Sequence, residues 1–272
     1  MSTQTTTALL QAPFITHTAP SEACVHAVQA AILHLALQAG SPVSLFDLDK
    51  TIWEPDNYGF LVDQFGRDSA LWHHADQLAN RANSGVTLRH LFQMALDQVS
   101  SDNFDFAEVI EKLKLAHKLI PGANALMKLL ERFGVFNFAV SNGIDNLAKP
   151  MLQSDGINLE PICNHCKISS HHILEFEPVD GEIGLSKEAV ADAMIAAGMK
   201  IICAGGDSRA DLPLILAAIS QNGFGLVRKG GALETLLAEM NLPADSYFVY
   251  ETFEDEGCLA FVERKLKARL TQ

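Results

Sequence analysis

The run Leu45-Phe46-Asp47-Leu48-Asp49-Lys50-Thr51 constrains this chain more than any other stretch. Pro42 opens a short apolar segment, Val43 to Phe46, that reads as a buried strand and stops at two aspartates spaced i, i+2. A strand apolar on consecutive positions belongs in a sheet covered on both faces. One intervening residue lets the backbone curl so that both carboxylates approach one locus. A carboxylate can attack phosphorus, and a second can protonate the leaving oxygen and later activate water. A plain turn or a metal clasp would use the same residues.

Alternation of helix and strand extends that expectation along the chain. Apolar positions Val25, Val28, Ala31, Ile32 and Leu35 recur at helical spacing, and Gly40 stops that helix. Residues 52–119 carry almost no strand signal and divide into four expected helices, at 60–65, 69–82, 87–99 and 106–118, with Thr87 and Asp105 as caps. Beyond Pro121-Gly122, helices are expected at 123–132, 145–152, 187–197, 211–220, 231–239 and 254–268. Strands are expected at 135–140, 200–204, 223–227 and 246–250, and residues 159–185 suggest a hairpin turning at Asp180-Gly181. Such spacing predicts a Rossmann-like, three-layer, mostly parallel α/β sheet with an inserted helical cap domain. The core would comprise residues 20–51 and 120–272, and the cap 52–119. Residues 229–272 would complete the core or mediate dimerisation.

The residues with chemistry fall at strand ends, where such folds bind ligands. Ser141 and Asn142 follow an apolar strand and can hold phosphoryl oxygens without adding charge, although Ser-Asn-Gly is also ordinary turn chemistry. Ser186 can cap a helix whose first residue is Lys187, a position where the helix dipole disfavours a cation unless an anion sits nearby. In Cys203-Ala-Gly-Gly-Asp207-Ser-Arg-Ala-Asp211, two glycines allow close backbone approach before a pair of aspartates. Carboxylates gathered from positions 47, 207 and 211 would repel unless a cation joined them, and oxygen ligands suit Mg2+.

Together, Asp47-Leu-Asp49-Lys-Thr51, Ser141-Asn142, Lys187 and Gly206-Asp207-Ser-Arg-Ala-Asp211 resemble, in order and strand placement, the haloacid-dehalogenase-like (HAD) superfamily. The resemblance spans about residues 43–228. It implies Mg2+-dependent hydrolysis of a small phosphomonoester, a small phosphorylated metabolite, through an aspartyl phosphate. Asp47 would be the nucleophile, Asp49 the acid and base, and Lys187 the stabiliser of the intermediate. Thr51, Ser141 and Asn142 would hold substrate or phosphate. Mg2+ would be held by Asp47, the carbonyl of Asp49 and Asp207, with Asp211 as ligand or outer support. Dehalogenases lack the second aspartate of the first motif, so Asp49 favours phosphoryl transfer. A phosphoprotein phosphatase, a phosphotransferase or phosphomutase, and a non-catalytic binding protein are the alternatives.

The helical insertion is similar to the cap of the phosphoserine-phosphatase-like branch. That branch carries a carboxylate-binding arginine where this chain reads Leu96-Asp97-Gln98, which argues against phosphoserine as substrate. Glu54 could instead meet an amine, with Trp53 or Tyr58 against an apolar or cationic group, or with Trp53 sealing cap to core. Arg67, Arg81 and Arg89 are the candidate substrate clamps in the cap. Cys163, Cys166 and His171 could form a small zinc clasp, a redox pair, or part of a solvent-facing polar segment. Cys24 and Cys203 read as core thiols, and Cys258 as partly buried.

Composition narrows the partners. A net charge of -13 from 20 basic and 33 acidic residues disfavours nucleic acid and anionic membrane as partners. With no apolar run of about 18 residues and no basic, apolar leader, neither a membrane span nor a signal peptide is expected. Scattered cysteines, 5 in all, make no disulfide framework, so a reducing cytoplasm is the expected compartment.

Overall fold

The computed structural model describes residues 21–54, 56–79, 88–99, 105–169, 172–179 and 184–270. Its seven-stranded sheet has the order β6-β5-β4-β1-β7-β8-β9. The strands are β1 (Pro42–Phe46), β4 (Phe136–Ile144), β5 (Glu160–Ser169), β6 (His172–Glu177), β7 (Lys200–Gly206), β8 (Phe224–Arg228) and β9 (Tyr247–Tyr250). All neighbours pair in parallel except β6, which runs antiparallel to β5. β1 lies between β4 and β7, with Phe46 opposite Ala139 on one side and Gly205 on the other.

Helices cover both faces, as the apolar strands require. Val43 and Leu45 of β1 pack with α1 (Glu22–His34), α8 (Lys187–Ala196), α9 (Leu212–Ser220) and α10 (Ala232–Glu239). Phe46 faces the other way, toward α6 (Ala123–Arg132), α7 (Asp145–Asp155) and α11 (Cys258–Leu270). The alternation follows from successive strand side chains pointing to opposite faces.

Among the described residues, four helices intervene between β1 and the rest of the sheet: α2 (Asn57–Phe65), α3 (Ser69–Ala79), α4 (Leu88–Val99) and α5 (Phe106–Ala116). Asp56 caps α2 through Gly59 N–H at 2.9 Å, and Asp105 caps α5 through Ala107 N–H at 2.9 Å. The expected cap Thr87 lies outside the described residues. α4 reaches the sheet edge, where Gln93 Oε1 accepts from Phe176 N–H at 2.9 Å. No helix among the described residues is long and apolar enough to cross a membrane.

Three local expectations are corrected. The helical segment stands on a two-stranded stem, β2 (Trp53–Glu54) against β3 (Lys118–Leu119), where no strand was expected and where a helix was drawn to residue 118. Pairs this short leave no readable period. Second, β4 runs on to Ile144 through a bulge: Ser141 pairs with Cys163, and Ile144 with the next residue, Asn164. Two residues, Asn142 and Gly143, are thereby pushed out of the ladder. Third, the expected hairpin is β5 against β6, whose paired ends are Ser169 and His172 rather than residues flanking 180–181; those two positions lie outside the described residues.

Candidate active site

The ends of β1, β4 and β7 converge at the carboxyl edge of the sheet. Asp47 leaves β1 with its N–H bonded to the Gly205 carbonyl at 3.0 Å, which fixes it beside β7. β7 then enters a 3-10 turn, Arg209–Asp211, before α9. Asp211 organises this turn. Its Oδ2 accepts from Asp207 N–H at 3.1 Å, Ser208 N–H at 2.8 Å and the Ser208 hydroxyl at 2.8 Å. Its Oδ1 meets Lys187 Nζ at 2.5 Å.

Lys187 is the first residue of α8, and Ser186 caps that helix through Ala189 N–H at 3.1 Å. Its ammonium is buried and also reaches Asp47 Oδ1 at 2.7 Å. Burial works against this cation, but Asp211 and Asp47 more than offset it and hold its pKa above the ordinary lysine value. One lysine does not balance the carboxylates around it. Burial raises the pKa of Asp47 to about 7, despite Lys187, with Asp211 and Asp207 adding repulsion. Asp207 rises to about 6, again chiefly through burial and then Asp211.

Among the described residues, one oxygen each from Asp47, Asp207 and Asp211 lies within 4.8 Å of the others. This hard, anionic donor set fits a divalent cation such as Mg2+. Asp211 already uses both oxygens on protein donors, so Asp47 and Asp207 are the members with capacity to spare.

Asp49 lies just beyond. Its Oδ1 accepts from Trp53 Nε1–H at 2.7 Å and from Asn57 N–H at 3.4 Å. Burial, then the charge of Asp56, raises its pKa well above the usual carboxylate range. Ser141 Oγ accepts from Gly143 N–H at 3.1 Å, and Asn142 Oδ1 from Leu185 N–H at 3.1 Å, which ties the β4 bulge to the segment leading into Lys187.

These groups border a cavity of ≈ 190 Å³. Asp47, Asp49, Ser141, Asn142, Lys187 and Asp207 line it, whereas Thr51 and Glu54 do not. Thr51 is fully buried, and its carbonyl accepts from the Tyr250 hydroxyl at 3.1 Å. Glu54 is exposed and pairs with Arg228 at 3.3 Å. Arg67 is also elsewhere, bonded to the Asp97 carbonyl at 2.7 Å. Arg81 and the side chain of Arg89 lie outside the described residues. The sequence reading missed Asp56, Asp76 and Phe92, which form the helical wall with Tyr58. Tyr58 stacks on Phe92 with centroids 4.3 Å apart. Only the position of Asp56 soon after Asp49 could have signalled it.

Cys163 and Cys166 are buried free thiols, whereas His165 and Lys167 beside them are exposed. Burial pushes both to about 12, so neither is a ready thiolate. His171 lies outside the described residues. Cys24 and Cys203 are core thiols, and Cys258 is fully rather than partly buried.

No protein-family model matches the chain, and no curated protein matches its sequence. Solved structures do. A HAD family hydrolase from Salmonella enterica serovar Typhi superposes with a TM-score of 0.62 at 14% identity, covering 89% of this chain and 80% of that one. A substrate-bound phosphoserine phosphatase gives 0.57 at 15% identity, over 75% of this chain and 93% of that one. A cytosolic 5'-nucleotidase IIIB bound to cytidine gives 0.53 at 14%, over 90% and 92%. These likenesses establish a common fold.

Proposed function

We propose that this chain, which has the fold of the HAD-like hydrolases in its phosphoserine-phosphatase-like form, is a Mg2+-dependent phosphatase of a small phosphomonoester. The observation that carries this reading is the buried Lys187 joining Asp47 to Asp211 beside Asp207, with Asp47, Lys187 and Asp207 lining one cavity. In this reading residues 20–51 and 120–272 are the catalytic core and residues 52–119 the cap.

Asp47 and Asp207, with the carbonyl of Asp49, would hold Mg2+, and Asp211 would support them from behind. Mg2+ bound there would neutralise charge and polarise the phosphoryl group. Asp47 attacks phosphorus, so a carboxylate O–P bond forms as the ester P–O bond breaks. Asp49 gives its proton to the departing alkoxide. It then takes a proton from a water that attacks phosphorus; the O–P bond to Asp47 breaks and inorganic phosphate leaves. Lys187 keeps Asp47 oriented and balances the extra phosphoryl charge. Ser141 and Asn142 line the phosphate end.

The cavity size supports a compact leaving group. Its far wall of Asp56, Asp76, Tyr58 and Phe92 supports one that carries an amine. Asp56 takes over the role anticipated for Glu54.

Two measurements test the reading. Wild-type protein screened on phosphoethanolamine, phosphocholine, phosphoserine, glycerol phosphate, sugar phosphates and nucleotides should release phosphate from one of the small esters, stop with EDTA and resume with Mg2+. Asp47→Asn should remain folded and lose turnover. Full turnover in that variant, or activity that persists after complete removal of divalent cations, would refute the assignment.

A further inference from the structure

Asp49 has two oxygens, and the structure treats them differently. Oδ1 is taken by the indole N–H of Trp53 at 2.7 Å and approached by the Asn57 N–H at 3.4 Å. Oδ2 faces the opposite side: a Cβ on Gly143 would stand 4.0 Å from it and 3.3 Å from Ser141 Oγ. Gly143 and Ser141 both line the cavity. Two donors, the Trp53 indole N–H and the Asn57 N–H, already face the two in-plane lone pairs of Oδ1, so a hydrogen on Oδ1 would displace one of them. The exchangeable hydrogen of Asp49 therefore belongs on Oδ2.

Trp53 is itself held firmly. It is fully buried, it pairs with Leu119 in the stem, and its carbonyl accepts from Lys50 N–H at 2.8 Å. Its ring meets the edge of His117 with centroids 4.8 Å apart at 70°. His117 is anchored in turn by Asp155 of α7, Nε2 to Oδ2, at 2.6 Å. Asp155 and α7 pack on the sheet, whereas His117 and Trp53 belong to the stem of the helical segment. The clamp therefore crosses from core to stem.

We infer that Trp53, braced by His117 and Asp155, is the positioning residue that pins Asp49 Oδ1 and reserves Oδ2 for proton transfer to the leaving oxygen. In that step the Oδ2–H bond breaks and the O–H bond of the product alcohol forms, while the P–O bond electrons remain on the departing oxygen. The inference rests on the phosphatase reading, with Asp49 as acid.

Trp53→Phe keeps a ring against His117 and removes the donor. For an alkyl ester such as glycerol phosphate or phosphoethanolamine, whichever the wild type hydrolyses, kcat should fall about 10- to 100-fold, as misplacement of a reacting group does, with KM within about twofold. p-Nitrophenolate leaves without a proton, so the loss in kcat/KM, which is set before the shared hydrolysis of the aspartyl phosphate, should be at least about tenfold smaller on p-nitrophenyl phosphate. Equal losses on both esters, as a merely structural role would give, or no loss on either, would overturn the inference. A second measurement does not depend on turnover or on this variant's folding. The 15N-indole proton resonance of Trp53 should move upfield in Asp49→Ala relative to wild type, and an unmoved resonance would sink the pinning. If wild type hydrolysed no phosphomonoester, the functional reading would fail while the indole resonance still decided the pinning.

Discussion

Lys187 shows how a residue placed against its local preference acquires a purpose. At the first position of α8 the helix dipole opposes it, yet its ammonium sits between Asp47 and Asp211 at 2.7 and 2.5 Å. Removing it leaves buried carboxylates unbalanced. Lys187→Met, close in volume, should destabilise the protein by about 3 kcal/mol in EDTA, the scale for breaking a buried pair. Urea unfolding would measure it, and a midpoint equal to wild type would contradict the pairing. His117 gives a second prediction. Burial lowers its pKa below the usual 6.5, outweighing Asp155. The unfolded chain then binds its proton more readily than the folded one. Its contribution to stability is whole above about pH 6.5 and is lost as pH falls through the lower folded value. Between pH 7.5 and 5, His117→Gln should therefore lose less Tm than wild type does, and parallel Tm curves would contradict this.

At the scale of elements, the site depends on how β7 passes into its turn. A Cβ on Gly206 would lie 2.2 Å from the Asp211 Cβ, so backbone and turn touch directly. Gly206→Ala should cost about 1–3 kcal/mol, the usual range for overpacking, and weaken Mg2+ binding because Asp207 is displaced. Urea unfolding and titration calorimetry would measure the two effects, and an unperturbed variant would show that the turn has slack. This junction was legible in the sequence because strand, glycines and paired aspartates are consecutive there. So was the alternation of strands and helices, since each element is long enough to show its period. The stem and the β4 bulge were not. β2 and β3 each have two residues, and the bulge is defined only by the register of β5. The family resemblance implies Thr51 as a substrate or phosphate ligand, yet the turn after Asp49 carries it inward to Tyr250.

At the scale of the whole molecule, substrate choice under the proposed function is made where the helical segment meets the sheet. β4 supplies Ser141 and Asn142, and α8 supplies Lys187; the segment supplies Asp76, Tyr58 and Phe92, with Asp56 at the junction. That wall was hidden from the sequence because its members are scattered over three helices and their approaches. Asp56 and Glu54 are two residues apart but separate cleanly. Asp56 lines the cavity, whereas Glu54 does not and pairs with Arg228 instead. An exposed pair of that kind contributes about 0–1 kcal/mol, so Glu54→Ala should leave both stability and KM nearly unchanged. Asp56→Asn is the sharper experiment. Asparagine caps a helix as well as aspartate does, so the bond to Gly59 and the fold of α2 should survive. What is lost is the charge on the cavity wall, together with its pairing to Lys50 at 3.8 Å. KM for an amine-bearing phosphomonoester should rise about tenfold, as a lost charged contact of roughly 1.4 kcal/mol implies, while KM for an uncharged alcohol ester should stay within about twofold. Steady-state kinetics on phosphoethanolamine and glycerol phosphate would separate the cases. Equal shifts for both esters would place Asp56 in α2 capping alone and remove the amine from the substrate.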